Sequence, residues 1–403
     1  MTARLPRRLV AVCLAASLLG AAACGDDDDA ASSTDDGGTE ITEVALSAED
    51  TLAVAETYAE LVHASYTDVI NETLELRTAI NDFVAAPSDA GLAAAKQAWL
   101  DARVLYGPTE VFRFYDGPID NPEDGPEGQI NAWPLDEAYV DYVDGDPAAG
   151  IINDAAGVPE ITTDVLVAAN EEGGESNIST GWHAIEFLLW GQDLAADGPG
   201  ARPLTDYTTS EVAERRGTYL KLLGDLLVAD LTSVRDAWDP AAGGTYVEEF
   251  LADPDQAVTN ILRSMGALSA GELAGERIAV AYDTKDQEDE HSCFSDNTTV
   301  DIAGNAAGIR MVYLADYQGI DGTSLSEVVA KAEPELDAAL RTQLDANVAA
   351  ATALVAPFDQ LILGEDTAPG RASLLALIES LQAQGDAVAG LADALGYSIT
   401  LDI

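Results

Sequence analysis

Residues 49–85 read EDTLAVAETYAELVHASYTDVINETLELRTAINDFVA. Their apolar and aromatic positions, Leu52, Ala55, Tyr58, Leu61, Val62, Tyr66, Val69, Ile70 and Leu74, recur at steps of three and four. That spacing lines one face of an α-helix and predicts a single long one. Pro87 stops the run, and Ser88 is a suitable cap for a second helix reaching about Tyr106. Outward from there, helical patterns recur at 161–170, 179–190, 209–237, 254–282, 298–317, 334–362 and 371–395. Residues 107–160, rich in Gly, Pro and Asp, carry only a short helical pattern at 135–143, and a stretch of that length is usually either functional or an excursion between bundle helices. No βαβ alternation and no sustained period-two patterning occurs, and only 397–403 look extended. The chain is therefore expected to be all-α. Two helical-bundle halves packed together, 48–200 and 201–403, fit its length, with Pro199 and Pro203 marking the loop between them.

The 403 residues include 72 Asp and Glu against 19 Lys and Arg, a formal net charge of −53, with 47% hydrophobic residues. That apolar content supplies a core and excludes global disorder despite the charge. So acidic a balance excludes nucleic acid and anionic membrane surfaces as attractive partners, since both would repel it. Only Lys96, Lys221, Lys285 and Lys331 are lysines, a composition suited to high salt, where self-repulsion is screened.

Residues 1–23 read as a secretory signal: Arg4, Arg7 and Arg8 precede an apolar stretch from Leu9 to Ala23, too short to span a bilayer. Cys24 follows directly, and small residues before Cys resemble a bacterial lipobox, with Ala21 where Leu is usual. Cys24 is then the lipidated N-terminus, which anchors the protein to a membrane; without lipidation it would be secreted. Residues 24–47, acidic and of low complexity, read as a disordered tether. Cys13 lies in the signal and Cys24 at the lipid site, so Cys293 has no intramolecular disulfide partner and is expected to be buried as a small hydrophobe.

Three histidines, His63, His183 and His291, carry most of the interpretable chemistry. Within 179–191, STGWHAIEFLLWG, His183 and Glu186 share one face of a helix that is apolar on every side and should be buried all round. A carboxylate there needs compensation by an Arg, by the imidazolium of His183 or by a metal ion. The same spacing also suits a structural His–Glu hydrogen bond. His63 falls in an inward stripe with Ala59, Tyr66 and Ile70, as a core residue or a ligand. Glu110 and Arg113, in TEVFRF, fit either a loop-holding ion pair or a third ligand with its orienting arginine. The run 286–291, DQEDEH, reads as a solvated loop, with Glu290, His291 and the nearby Asp296 as further metal candidates. His-Glu-x-x-His, Gly-x-Ser-x-Gly, a Walker loop and Cys-x-x-Cys-His are all absent, and no general base stands out once His183 and Glu186 are used as ligands.

Gly181-Trp-His183-Ala-Ile-Glu186 resembles the Gly-x-His-x-x-Glu signature of imelysin-like proteins. The stretches 106–120, YGPTEVFRFYDGPID, 286–298, DQEDEHSCFSDNT, and 58–66, YAELVHASY, resemble its iron-regulated protein A branch, so the likeness runs over roughly residues 50–400. It implies an all-helical, envelope-anchored, extracytoplasmic protein of two bundle-like halves, with His183 and Glu186 as the metal motif. The function expected is metal binding in iron acquisition or metal handling, with a divalent ion, Fe or Zn, completed by some of His63, Glu110, Glu290 and His291, and an iron-transport permease as a partner. Two alternatives stand beside it: a metallopeptidase, the activity ascribed to the founding members, and a metal-free binding module using Arg113 with Trp182 or Trp190.

Overall fold

Ser47 caps the first helix: its hydroxyl accepts the Asp50 N–H at 3.1 Å and opens the 38-residue helix Ala48–Ala85. The computed structural model describes residues 45–403 apart from Ala196, Ala356 and Asp402. The signal, Cys24 and all of the tether up to residue 44 lie outside the described residues. Ser88 caps the next helix, Asp89–Tyr106, through the Gly91 N–H at 3.1 Å. Those two helices pack along each other, and Ala213–Ala237 lies along the first of them. The buried helix Gly181–Trp190 closes this group against both Asp89–Tyr106 and Ala213–Ala237.

The second group comprises Pro254–Ala267, Thr298–Leu314, Pro334–Thr352 and Pro369–Ala394. Between its first two members runs Leu268–Ala279, a π-helical stretch packed on Pro369–Ala394. The two groups are joined, because Ala48–Ala85 also packs on Pro254–Ala267. Tyr219, Leu220, Leu223, Leu227, Leu231 and Val234 form a buried stripe on Ala213–Ala237, and the apolar face of Ala48–Ala85 covers it. Gly217 and Gly224 let that helix come close: Val84 stands beside the first, and Ile80 and Arg77 beside the second. The helix predicted at 334–362 breaks after Thr352 and resumes only as Phe358–Ile362. Among the described residues there is no strand, only an isolated bridge between Val143 and Asp146, and no helix is long and apolar enough to cross a membrane.

Two features fix the parts that matter later. Where the short 3-10 turn Gly107–Phe112 crosses Thr298–Leu314, backbone meets backbone. A Cβ at Gly304 would stand 3.2 Å from the Gly107 Cα, and one at Gly308 would run into the Pro108 carbonyl. Elsewhere, Asp141 is clasped by two arginines. Arg216 reaches it through Nε at 2.7 Å and Nη2 at 2.9 Å, and Arg202 through Nη1 at 2.8 Å. Arg216 Nη1 also donates to the Asp206 carbonyl at 2.6 Å, and Arg202 Nη2 to the Phe187 carbonyl at 3.1 Å. Burial alone would raise the Asp141 carboxyl, but Arg216 and Arg202 outweigh it and hold the group below the usual range.

Candidate metal centre

All ten residues of Gly181–Trp190 are buried, as their composition requires. Gly181 starts the helix at φ +81°, with the Ile130 and Gln129 carbonyls where a Cβ would stand, so only glycine fits. One turn on, His183 Nδ1 lies 3.0 Å from Glu186 Oε2. The other carboxylate oxygen, Oε1, accepts the Ser295 N–H at 2.9 Å and the Ser295 hydroxyl at 2.6 Å. Both oxygens of Glu186 are thus engaged, whereas the buried Nε2 of His183 has no hydrogen-bond partner.

The loop after residue 285 brings a second imidazole to the first. His291 and His183 meet edge to face, with ring centroids 4.7 Å apart and an interplanar angle of 73°. His291 repeats the pattern: Nδ1 lies 2.9 Å from Asp301 Oδ2, and Nε2 is buried without a partner. Asp301 is held in turn by Arg103 Nη2 at 3.0 Å, by Asn297 Nδ2 at 3.2 Å and by the Ser292 hydroxyl. With Glu186 and Asp301 ionised and Nδ1 protonated, each ring donates to its carboxylate and leaves a lone pair on Nε2; a proton on Glu186 would instead be donated to His183 Nδ1 and put the ring hydrogen on Nε2.

Glu110 enters from Gly107–Phe112. Its Oε2 pairs with Arg277, accepts from Asn131 at 3.4 Å and has Arg113 Nη1 at 3.5 Å, while Oε1 is buried and unpartnered. Arg277 sits on the π-helical stretch, where it also reaches Glu272 at 2.9 Å and Asn305 at 2.9 Å. Burial would raise the Glu110 carboxyl, but Arg277 brings it down to about 2. Burial pushes Glu186 up to about 8 against the Ser295 bonds, and lowers His183 to about 3 with help from Arg103. Burial, Arg277 and His183 likewise hold His291 well below its ordinary value. Both rings are therefore neutral at neutral pH.

Two neutral imidazole nitrogens and a carboxylate oxygen, each buried and unpartnered, form a nitrogen-and-oxygen donor set that suits zinc or iron. Among the described residues, no three His, Cys, Asp or Glu side chains already converge on one point as a ligand shell. The structure thus presents oriented dyads that would have to close on an ion. The surrounding guanidiniums of Arg103, Arg113 and Arg277 face four carboxylates, Glu110, Glu127, Glu272 and Asp301. Counted in ionised form, these groups leave a negative excess that favours a cation.

The same arrangement belongs to a chain whose residues 62–388 match the family profile described as Imelysin. The chain belongs to the imelysin family. It is 27% identical over 295 residues to iron-regulated protein A of Synechococcus elongatus (strain ATCC 33912 / PCC 7942 / FACHB-805), covering 72% of this chain and 71% of that one. A crystal structure from Parabacteroides distasonis ATCC 8503, described as an iron-regulated protein A precursor, superposes with a TM-score of 0.68. That superposition covers 87% of this chain and 97% of the other at 20% identity, a likeness of fold.

In this imelysin, five sequence-predicted residues lie at the site: His183, Glu186, His291, Glu110 and Arg113. Glu186 departs from the ligand expectation. Tied to His183 and Ser295, it orients an imidazole and has no free oxygen to offer. Nor is it compensated by an imidazolium, because His183 is neutral. His63 stands half-buried on the flank of Ala48–Ala85, and among the described residues its ring shares no hydrogen bond, ion pair or ring contact with this site. Glu290 and Asp296 turn to another carboxylate group, with Asp193 and Asp359. Trp182 is sealed in the core between Trp99 and Tyr106, and Lys96 stacks over Trp190, 5.1 Å from the ring centroid. Neither indole joins Arg113 in a ligand cleft.

Sequence reasoning missed Arg103, Asn131, Arg277, Ser295 and Asp301. One signal for Arg103 was available: it occupies a stripe with Leu92, Ala95, Trp99, Ala102 and Tyr106, where a charge has to find a buried partner. Asp301 lies in the first turn of its helix and passes for a capping residue.

Proposed function

We propose that this imelysin binds iron or zinc between its two histidine–carboxylate dyads, with His183 Nε2, His291 Nε2 and Glu110 Oε1 as the protein ligands. The observation that carries the reading is the pair of neutral, buried imidazoles, 4.7 Å apart, each oriented through Nδ1 by a carboxylate and each with an unpartnered Nε2. Glu186 and Asp301 set ring orientation and basicity, and Arg277 keeps Glu110 ionised and aimed. The name of the Synechococcus relative, iron-regulated protein A, favours iron. With the signal and Cys24, it supports a lipid-anchored envelope protein that acquires or handles metal and passes it to a permease. A peptidase is the weaker reading, because Glu186 and Asp301 are engaged with the imidazoles and Glu110 Oε1, the one carboxylate oxygen left open there, is used as a ligand.

The test is elemental analysis of the mature chain from residue 24, beside His183→Ala/His291→Ala, after reconstitution with ferrous iron or zinc. Near one equivalent in the parent and less than a tenth in a variant with unchanged far-UV circular dichroism is the expected outcome. Equal metal in both sinks the assignment.

A further inference from the structure

The helix that carries His183 ends on Trp190, and the chain beyond it turns back on the helix end. The Gly191 N–H donates to the Phe187 carbonyl at 2.7 Å, and the Arg202 N–H to the Trp190 carbonyl at 2.7 Å. The Gly200 N–H donates to the Phe294 carbonyl at 2.9 Å, and a Cβ at Gly200 would stand 2.6 Å from the Gly191 carbonyl oxygen. Gln192 Oε1 accepts the Asp144 N–H at 2.6 Å, which ties this loop to the segment after Glu137–Val140. A loop pinned at so many points is a preformed wall. It borders a cavity of about 460 Å³ lined by Tyr142, Trp190, Leu194, Pro199, Arg202 and Pro203. Small organic molecules are commonly held in pockets of roughly 300–1,000 Å³.

The lining restricts the class of occupant. Trp190 and Tyr142 offer rings, Pro199 and Pro203 are apolar, and Leu194 is 71% exposed, so an apolar body would gain by covering them. Both rings already carry a protein cation: Arg202 Cζ lies 5.6 Å from the Tyr142 centroid, and Lys96 Nζ 5.1 Å from that of Trp190. A cationic ligand would meet repulsion there. The two cations differ in pairing. Arg202 is neutralised by Asp141 and Asp206, at 2.8 and 3.1 Å. Lys96 reaches Trp190 from Asp89–Tyr106 and is the one half-buried lysine of four. Among the described residues it forms no ion pair, in a chain with 72 Asp and Glu. Burial and the Arg202 charge both disfavour its ammonium, so an anion beside it is favoured. Asp144, the acidic residue of the lining, is exposed, and solvent screens its charge.

We propose that this cavity binds a small planar aromatic carboxylate, its ring system against Trp190 and Tyr142 and its carboxylate on the Lys96 ammonium. The site is separate from the imidazole pair and rests on none of the residues assigned there as ligands. It is joined to that pair through two elements. Trp190 lies one turn beyond Glu186 on the same helix, and Phe294, whose carbonyl holds Gly200, precedes the Ser295 that holds Glu186. The indole thus serves a cavity with Lys96 and Arg202, not with Arg113.

The test is calorimetric titration of the mature chain with 2-naphthoate, and separately with its uncharged analogue 2-naphthamide, in about 0.15 M KCl, where diffuse surface repulsion is screened. One saturable equivalent of 2-naphthoate is expected in the parent. Lys96→Met keeps an unbranched apolar stem over Trp190 and removes the charge. It should weaken 2-naphthoate at least tenfold and shift 2-naphthamide less than twofold. Ala201→Phe gives an independent reading, because position 201 is an exposed part of the lining. The larger side chain should fill the cavity and weaken both probes at least tenfold, with unchanged far-UV circular dichroism. A parent without saturable 2-naphthoate binding, equal 2-naphthoate affinity in Lys96→Met, or undiminished binding in Ala201→Phe overturns the proposal. Failure of iron or zinc loading leaves this reading standing, so the two assignments fail separately.

Discussion

Two buried polar networks in this molecule look alike in composition and differ in completion. Around Asp141, Arg216 spends every nitrogen of its guanidinium and the carboxylate spends both oxygens, with only the Arg202 Nε left over. Around the imidazole pair, His183 Nε2, His291 Nε2 and Glu110 Oε1 all remain without partners. Both networks hold charges at similar depth, so burial does not distinguish them. What distinguishes them is that the first has no unused acceptors, while the second keeps three. A satisfied network specifies and stiffens a fold; one that leaves acceptors idle retains capacity for a guest.

The largest effect should come from breaking the satisfied network. Arg216→Ala takes two of the three guanidinium bonds from Asp141, leaves it Arg202 alone, and should lower the unfolding free energy by about 3 kcal/mol in urea denaturation. A loss under about 1 kcal/mol would mean that Asp141 finds other support, and the contrast would collapse. The histidine variant used for the metal test should instead keep its helicity.

A second difference is written in pH. The ordinary imidazole value is 6.5 and the folded His183 sits at about 3, so between these limits only the unfolded chain binds that proton. Stability therefore rises from pH 3 to 6.5. Glu186 at about 8 and Glu290 at about 9 do the reverse from an ordinary 4.5, holding protons in the folded state that the unfolded chain has released. Their contribution falls as pH climbs from about 4.5 to 9. The alkaline decline belongs to the unsatisfied region and its loop. It should flatten in Glu186→Gln/Glu290→Gln and persist in Arg216→Ala, as read by the thermal midpoint from pH 5 to 9. A slope unchanged by the double carboxamide would remove this distinction.

The smallest effect is the finest probe. Ser295→Ala removes the hydroxyl from Glu186 Oε1 and leaves the backbone N–H in place. A loss of about 1 kcal/mol is expected. Metal affinity should fall with it if Glu186 positions His183, and should be unmoved if Glu186 is purely structural.

Helical periodicity in the sequence was enough for the all-α class and the main helices, because steps of three and four record which face is buried. It also showed that Gly181–Trp190 would be enclosed. The site's cross-connections were illegible for a physical reason: Ser295 meets Glu186 across 109 residues and Arg277 meets Glu110 across 167, and no local pattern encodes such pairings. The run 286–291 misled differently. Its charge density suggests a solvated loop, and residues 286–289 are solvated, but Glu290 and His291 at its end are buried, so composition averages away what those two side chains do. Past the prolines near residue 200 the next long helix, Ala213–Ala237, returns to pack on Ala48–Ala85, a long-range pairing that no local pattern records.

The crossing of Gly107 with Gly304 and Pro108 with Gly308 bears on motion. With no side chains between them, these backbones have no lubricating layer through which to slide or rotate. Glu110 and Asp301, rooted on either side, are riveted at a fixed separation. A clamshell opening at this seam is thus mechanically unavailable. The two carboxylates are thereby a fixed frame, against which the loop that brings His291 is set.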